Sequence, residues 1–304
     1  MFVSDQIVFI ELQKTGSTHV RHLLTGLLGG SLKGKHNAPT PEILARGTPI
    51  LGSVRNPWSW YVSLWTYGCQ KKGVLYQRLI DPAKWPGAAQ AAAHEGDADD
   101  DEDDSPAVAA PAGKKGQGGK RKGQKKPGGP LPALASAARA RDFWYADPGN
   151  PEAFREWLTL VLSPAARRIV ESGYRRNPIS RCGGLMTYRY FKLFVRDTDQ
   201  LTPDYKTVPM LVKLDQERCW VKHFIQSERL EDDFIRAMTA CGVALSEEQL
   251  NEIRTSRKRN VSERPLPTEA YYDAATLQLV ADRERFIIEK FGYRAPSLPV
   301  PAAA

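Results

Sequence analysis

Apolar and polar positions along the chain follow two rhythms, and they alternate. Gln6 to Ile10 is a short apolar run rich in β-branched and aromatic residues, which predicts a buried strand. Gln13 to Thr18 is polar and holds a glycine, which predicts a turn. From Thr18 to Leu28 the apolar residues Val20, Leu23, Leu24, Leu27 and Leu28 recur at helical spacing, and Gly29-Gly30 ends the helix. The same order repeats at once. Pro49 to Val54 predicts a second strand, Arg55-Asn56-Pro57 a turn, and Trp58 to Tyr67 an aromatic helix, with Pro57 suited to the first helical position. Further on, residues 154–162, 185–195, 230–241, 247–255 and 271–291 predict helices, and residues 208–214 a further strand. Strand, tight turn and helix in alternation predict an α/β fold, three layers deep, with a mostly parallel central sheet. In such sheets ligands bind beyond the carboxyl ends of the strands, where both marked turns lie.

One stretch breaks the pattern. Residues 86–140 are mostly Ala, Gly, Pro and charge, with an acidic block at 97–104 and a basic block at 114–126. Too little apolar side chain stands there to offset the entropy of ordering it, so it predicts a disordered insertion into a surface loop of one 304-residue domain. Eight acids and eight Lys or Arg cancel within it, so the excess of +8 belongs to the rest of the chain and fits an anionic partner. The alternative, a nucleic-acid contact through 114–126, has to contend with the neighbouring acids for the same lysines.

At 41% hydrophobic and with seven Trp, the chain has material for a sizeable core, which excludes a wholly disordered protein. No run of ~18–20 apolar residues predicts a membrane span. The N-terminus lacks the basic-then-apolar order of a secretory signal, and the four Cys show no metal-like or redox-like spacing. The expectation is a cytoplasmic protein of undetermined oligomeric state with no metal requirement.

The first turn reads Glu11-Leu12-Gln13-Lys14-Thr15-Gly16-Ser17-Thr18. A short loop opening a helix aims several backbone N–H groups at one point, and the helix dipole adds partial positive charge. Gly16 permits close approach, Lys14 adds a full charge, and Ser17 and Thr18 add hydroxyls. A plain turn with a helix cap is the other reading. The residue order differs from G-x-x-x-x-G-K-[ST], because the first glycine is missing and Lys14 precedes Gly16; this disfavours a Mg-nucleotide kinase or NTPase. The second turn reads Arg55-Asn56-Pro57-Trp58-Ser59-Trp60-Tyr61-Val62-Ser63. Arg55 is a natural fork for a phosphate, with Ser63 two helical turns further on.

At these residues the chain resembles the sulfotransferases that use 3′-phosphoadenosine 5′-phosphosulfate (PAPS), in particular the carbohydrate enzymes of the heparan type and their bacterial relatives. Their K-T-G-[GST]-T loop and R-[ND]-P-x₅-S segment both stand here, in order and in strand–loop–helix context. Asn260-Val261-Ser262, Tyr271-Tyr272-Asp273 and Phe291-Gly292-Tyr293 are similar as well. The resemblance implies a P-loop-NTPase-like sulfotransferase fold and sulfuryl transfer to a hydroxyl acceptor, in the first place a carbohydrate. It implies that Lys14, Thr15, Gly16, Ser17 and Thr18 hold the 5′-phosphosulfate, that Arg55 and Ser63 hold the 3′-phosphate, and that Lys14 also stabilises the leaving phosphate. Arg257-Lys258-Arg259 is a basic run for cofactor or acceptor.

A base must take the acceptor's proton, and His titrates closest to working pH. His36, in the polar stretch 33–40 after the first helix, matches the place where heparan-type enzymes with a His base carry it. Glu11 and His19 are the alternatives. His22 and His223 read as packing or solvent-facing, and His94 falls in the insertion.

Overall fold

The computed structural model describes residues 1–85, 135–256 and 264–298. Five strands form one mixed sheet: β1 (Phe2–Val3), β2 (Val8–Ile10), β3 (Ser31–Leu32), β4 (Ile50–Val54) and β5 (His223–Gln226), in the order β3-β1-β2-β4-β5. β2, β4 and β5 run parallel, with Val8 opposite Ile50 and Leu51 opposite His223. β1 is antiparallel to both β2 and β3. The cause is local. Ser4 folds the chain back by donating its hydroxyl to the Ile7 carbonyl and accepting from the Ile7 N–H, and a tight reversal can only return antiparallel. Helical crossovers return the chain parallel, so only one half of the sheet has the expected arrangement.

Alternation along the strands sends side chains to two apolar clusters. Phe9, Leu51 and Ile225 pack with Val20 and Leu24 of helix α1 (Ser17–Leu28) and with Phe234 and Met238 of helix Leu230–Ala240. Val8, Ile10, Ile50 and Val54 belong to the second cluster, with Trp60, Trp65 and Trp157. Helix Pro57–Cys69 starts where its sequence says it should, with Pro57 in the first turn and the Asn56 side chain accepting from the Trp58 N–H. Its Trp58, Trp60, Tyr61 and Trp65 are all core. Each buries about 150–250 Å², so this helix anchors the sheet.

Three expectations change. Residues 208–214 are not a strand but part of helix Val208–Arg218, with Leu211, Leu214 and Asp215 buried at helical spacing and Pro209 tolerated in the first turn. The third parallel strand is β5 instead. Residues 271–291 do not form one helix. They follow a short 3-10 turn (Thr268–Tyr271) and divide into helices Ala274–Arg283 and Arg285–Phe291 at Glu284, whose carboxylate is committed elsewhere. Finally, residues 135–140, expected to belong to the insertion, pack onto the fold. Ala137 and Ala140 are buried, and Arg139 forks onto Glu156. The rest of the expected insertion, 86–134, lies outside the described residues, as do Arg257-Lys258-Arg259 and Asn260-Val261-Ser262. Among the described residues no helix is long and apolar enough to cross a membrane.

Candidate functional site

The three parallel strands end side by side, and hydrogen bonds tie their ends together. Thr15 donates to the Leu12 carbonyl and shares a 2.6 Å bond with Ser53, the penultimate residue of β4. Ser227, just past β5, bonds the carbonyls of Thr15 (2.7 Å) and Val54 (3.0 Å). Trp60 donates its indole N–H to the Gln13 carbonyl, and Arg55 Nη1 donates to the Lys14 carbonyl at 3.1 Å. The first turn is thereby held in an unusual shape. Lys14 has φ +62° and Gly16 φ +78°. A side chain at Gly16 would be strained there and would also press on Leu230, its Cβ lying 2.8 Å from Cδ1.

Gly16 is the residue before α1, and no side chain caps the helix. The N–H groups of Ser17 and Thr18 have no backbone partner among the described residues, whereas that of His19 bonds the Gly16 carbonyl, so the first two are left at the mouth of the turn with the positive end of the dipole. Ser17 is buried and Thr18 half-buried at this point, whereas Thr15 turns its hydroxyl inward and contributes to the site through its backbone.

Lys14 and Arg55 meet at the turn, and Lys72 and Arg264 are near enough to act on Lys14 electrostatically. Lys14 lies with Nζ 3.8 Å from the centre of the Tyr67 ring. Burial pushes its ammonium down to about 8, and the cations Arg55, Lys72 and Arg264 push in the same direction. Burial likewise brings Arg55 down to about 10, aided by Arg264 and opposed by Glu228 and Tyr293. Arg55 Nε donates to Ser59 at 2.5 Å, not to Ser63. Ser63 is one turn deeper along the same helix and buried.

His36 stands beside this turn with φ +57°. Its Nδ1 is 2.9 Å from the Glu11 carbonyl. A carbonyl only accepts, so Nδ1 carries the proton and Nε2 keeps its lone pair. Burial lowers the imidazole below its usual value, with help from Arg189, which keeps it neutral at pH 7. Glu11 does not offer a free carboxylate: one oxygen takes the Met1 amino group at 3.1 Å, and the other lies 3.2 Å from Arg21 Nε. His19 is buried under α1 and meets Ser256 at 3.2 Å, away from the mouth of the turn.

The structure therefore brings Lys14, Gly16, Ser17, Thr18, Arg55 and His36 around the ends of β2 and β4. Sequence reasoning missed Ser59, Tyr67, Lys72, Ser227 and Arg264. A Ser one turn inside the helix from Arg55 was a readable signal for Ser59. Ser227 had none, because β5 itself was not foreseen. Among the described residues no cluster of His, Cys, Asp or Glu could hold a metal. Comparison with known proteins returns nothing: no family model, curated protein or solved structure matches the chain.

Proposed function

We propose that this chain is a PAPS-dependent O-sulfotransferase of P-loop-like, three-layer architecture, working in the cytoplasm on a hydroxyl acceptor, in the first place a carbohydrate. The observation that carries the reading is the meeting of Lys14 and Arg55 at a helix start with no side-chain cap, with a neutral imidazole beside the same turn. A donor set of N–H groups, hydroxyls and cations fits a nucleotide with phosphates at both ends.

Bound there, PAPS supplies an activated sulfuryl group. The α1 N–H groups, Ser17 and Thr18 hold the 5′ end. Arg55 holds the 3′-phosphate. Lys14 stabilises the charge that grows on the leaving phosphate during in-line transfer. His36 Nε2 takes the proton from the acceptor hydroxyl.

Calorimetric titration of 3′-phosphoadenosine 5′-phosphate against ADP and ATP tests this. The wild type binds the 3′-phosphorylated nucleotide at micromolar concentration or tighter and prefers it, and Arg55→Ala weakens it at least ~10-fold, or about 1.4 kcal/mol. Equal binding of ADP overturns the reading.

A further inference from the structure

The turn at Arg55 is not closed by its own motif. Asn56 donates its side-chain N–H to the Arg294 carbonyl at 2.9 Å and its backbone N–H to Glu228 at 2.9 Å. The first of these bonds lays the C-terminal strap, Phe291 to Arg294, against the Arg55 turn, with Tyr293 adjacent to the bonded residue. The Tyr293 hydroxyl oxygen is buried and has no hydrogen-bond partner among the described residues. Glu228 and Asp233 are close enough to act on it electrostatically, yet neither accepts its proton. Leaving such a donor unpaired in the interior opposes folding, and a ligand that accepts from it relieves that cost. Ser59 completes the picture. Its oxygen is occupied as an acceptor by Arg55 Nε, so its own O–H is the part left to donate.

We infer that Ser59 and Tyr293 donate their hydroxyls to the anion that Arg55 holds, and that these two residues, more than the buried Ser63, select a nucleotide bearing a 3′-phosphate. This rests on the proposed function and sharpens it, because it assigns recognition of the 3′ end to one guanidinium and two hydroxyls drawn from opposite ends of the chain. Glu228 accepts the Asn56 N–H and keeps that residue in place.

The test compares full-length wild type, Tyr293→Phe and Ser59→Ala by calorimetry, with 3′-phosphoadenosine 5′-phosphate and with ADP, and by thermal melting without nucleotide. Each substitution weakens the 3′-phosphorylated nucleotide about 10-fold and leaves ADP unchanged. Tyr293→Phe also melts at the same or a higher temperature, because it removes a hydroxyl that bonds none of the described residues. A packing role would instead lower melting and affect both nucleotides alike, which overturns the inference. So does a preference for the 3′-phosphate that survives both substitutions. If the wild type itself has no such preference, the inference and the functional reading fail together.

Discussion

Glu284 and the Lys14–Arg55 pair are both charged groups held away from water, and the fold treats them in opposite ways. Glu284 is fully buried and surrounded by donors. The Tyr61 hydroxyl and the Met186 N–H reach one oxygen; the Thr187 N–H and hydroxyl reach the other. It caps helix Leu185–Phe194 from a distant part of the chain, so tightly that a Cβ at Gly184 would lie 2.0 Å from its oxygen. Burial still holds its carboxyl above the usual range in spite of those donors. Lys14 has the Tyr67 ring face but no carboxylate partner among the described residues, and its strained backbone adds to the cost. A matched buried charge builds a helix start. Like charges gathered at an uncapped helix start oppose folding, and they make sense where a ligand supplies the missing sign.

The largest effect expected from this contrast is on the matched side. Glu284→Ala leaves two backbone N–H groups and two hydroxyls without their acceptor, and should cost about 3–5 kcal/mol of stability in denaturant titration. A loss below about 1 kcal/mol would mean that Glu284 is no more structural than Lys14. Next comes the base. His36→Ala should lower turnover about 10²-fold or more while nucleotide affinity stays within twofold, measured by single-turnover sulfate transfer to an acceptor found by screening. Because burial pushes His36 down, the wild-type rate should hold as pH drops past 6.5 and fall only below it. Between that lowered value and 6.5 the unfolded chain carries the extra proton, so stability falls as pH falls through this window. An unchanged rate in His36→Ala would remove the base from the site.

How far the sequence reached follows the same division. β2 with α1, and β4 with helix Pro57–Cys69, were legible because compact apolar runs are punctuated by Gly16 and Pro57, whose backbone demands are local. β5 was not. His223-Phe224-Ile225-Gln226 is a four-residue edge strand with only Ile225 fully buried, whereas the longer apolar run at 208–214 drew the strand assignment. Short apolar runs fit either rhythm, and packing decides between them. Around the site, the loop and Arg55 could be read because they form contiguous motifs. Ser227 reaches the turn from a separate segment, and Lys72, Arg264 and Tyr293 act on Lys14 or Arg55 electrostatically from others, so no contiguous motif announces them. Ser63 shows the converse: the spacing was right, but the hydroxyl next to Arg55 belongs to Ser59.

The smallest expected effect is the most direct probe of unmatched charge. With its ammonium near 8 in the free protein, Lys14 is only part-protonated at pH 8–9. An anion beside it raises its proton affinity, so nucleotide binding should take up a fraction of a proton. Calorimetry in buffers of different ionisation enthalpy reads that fraction directly, and affinity should decline a fewfold per pH unit above about 8. Lys14→Arg keeps its charge over this range, so its uptake should vanish and its affinity should stay level with pH. The free protein supplies the sign check. Between about 8 and the ordinary 10.5 the unfolded chain holds the Lys14 proton that the folded chain has lost, so Lys14 makes stability rise with pH across that window, and Lys14→Arg removes the rise. Proton uptake of zero in the wild type would mean that Lys14 already has a counter-charge, and the contrast with Glu284 would be gone.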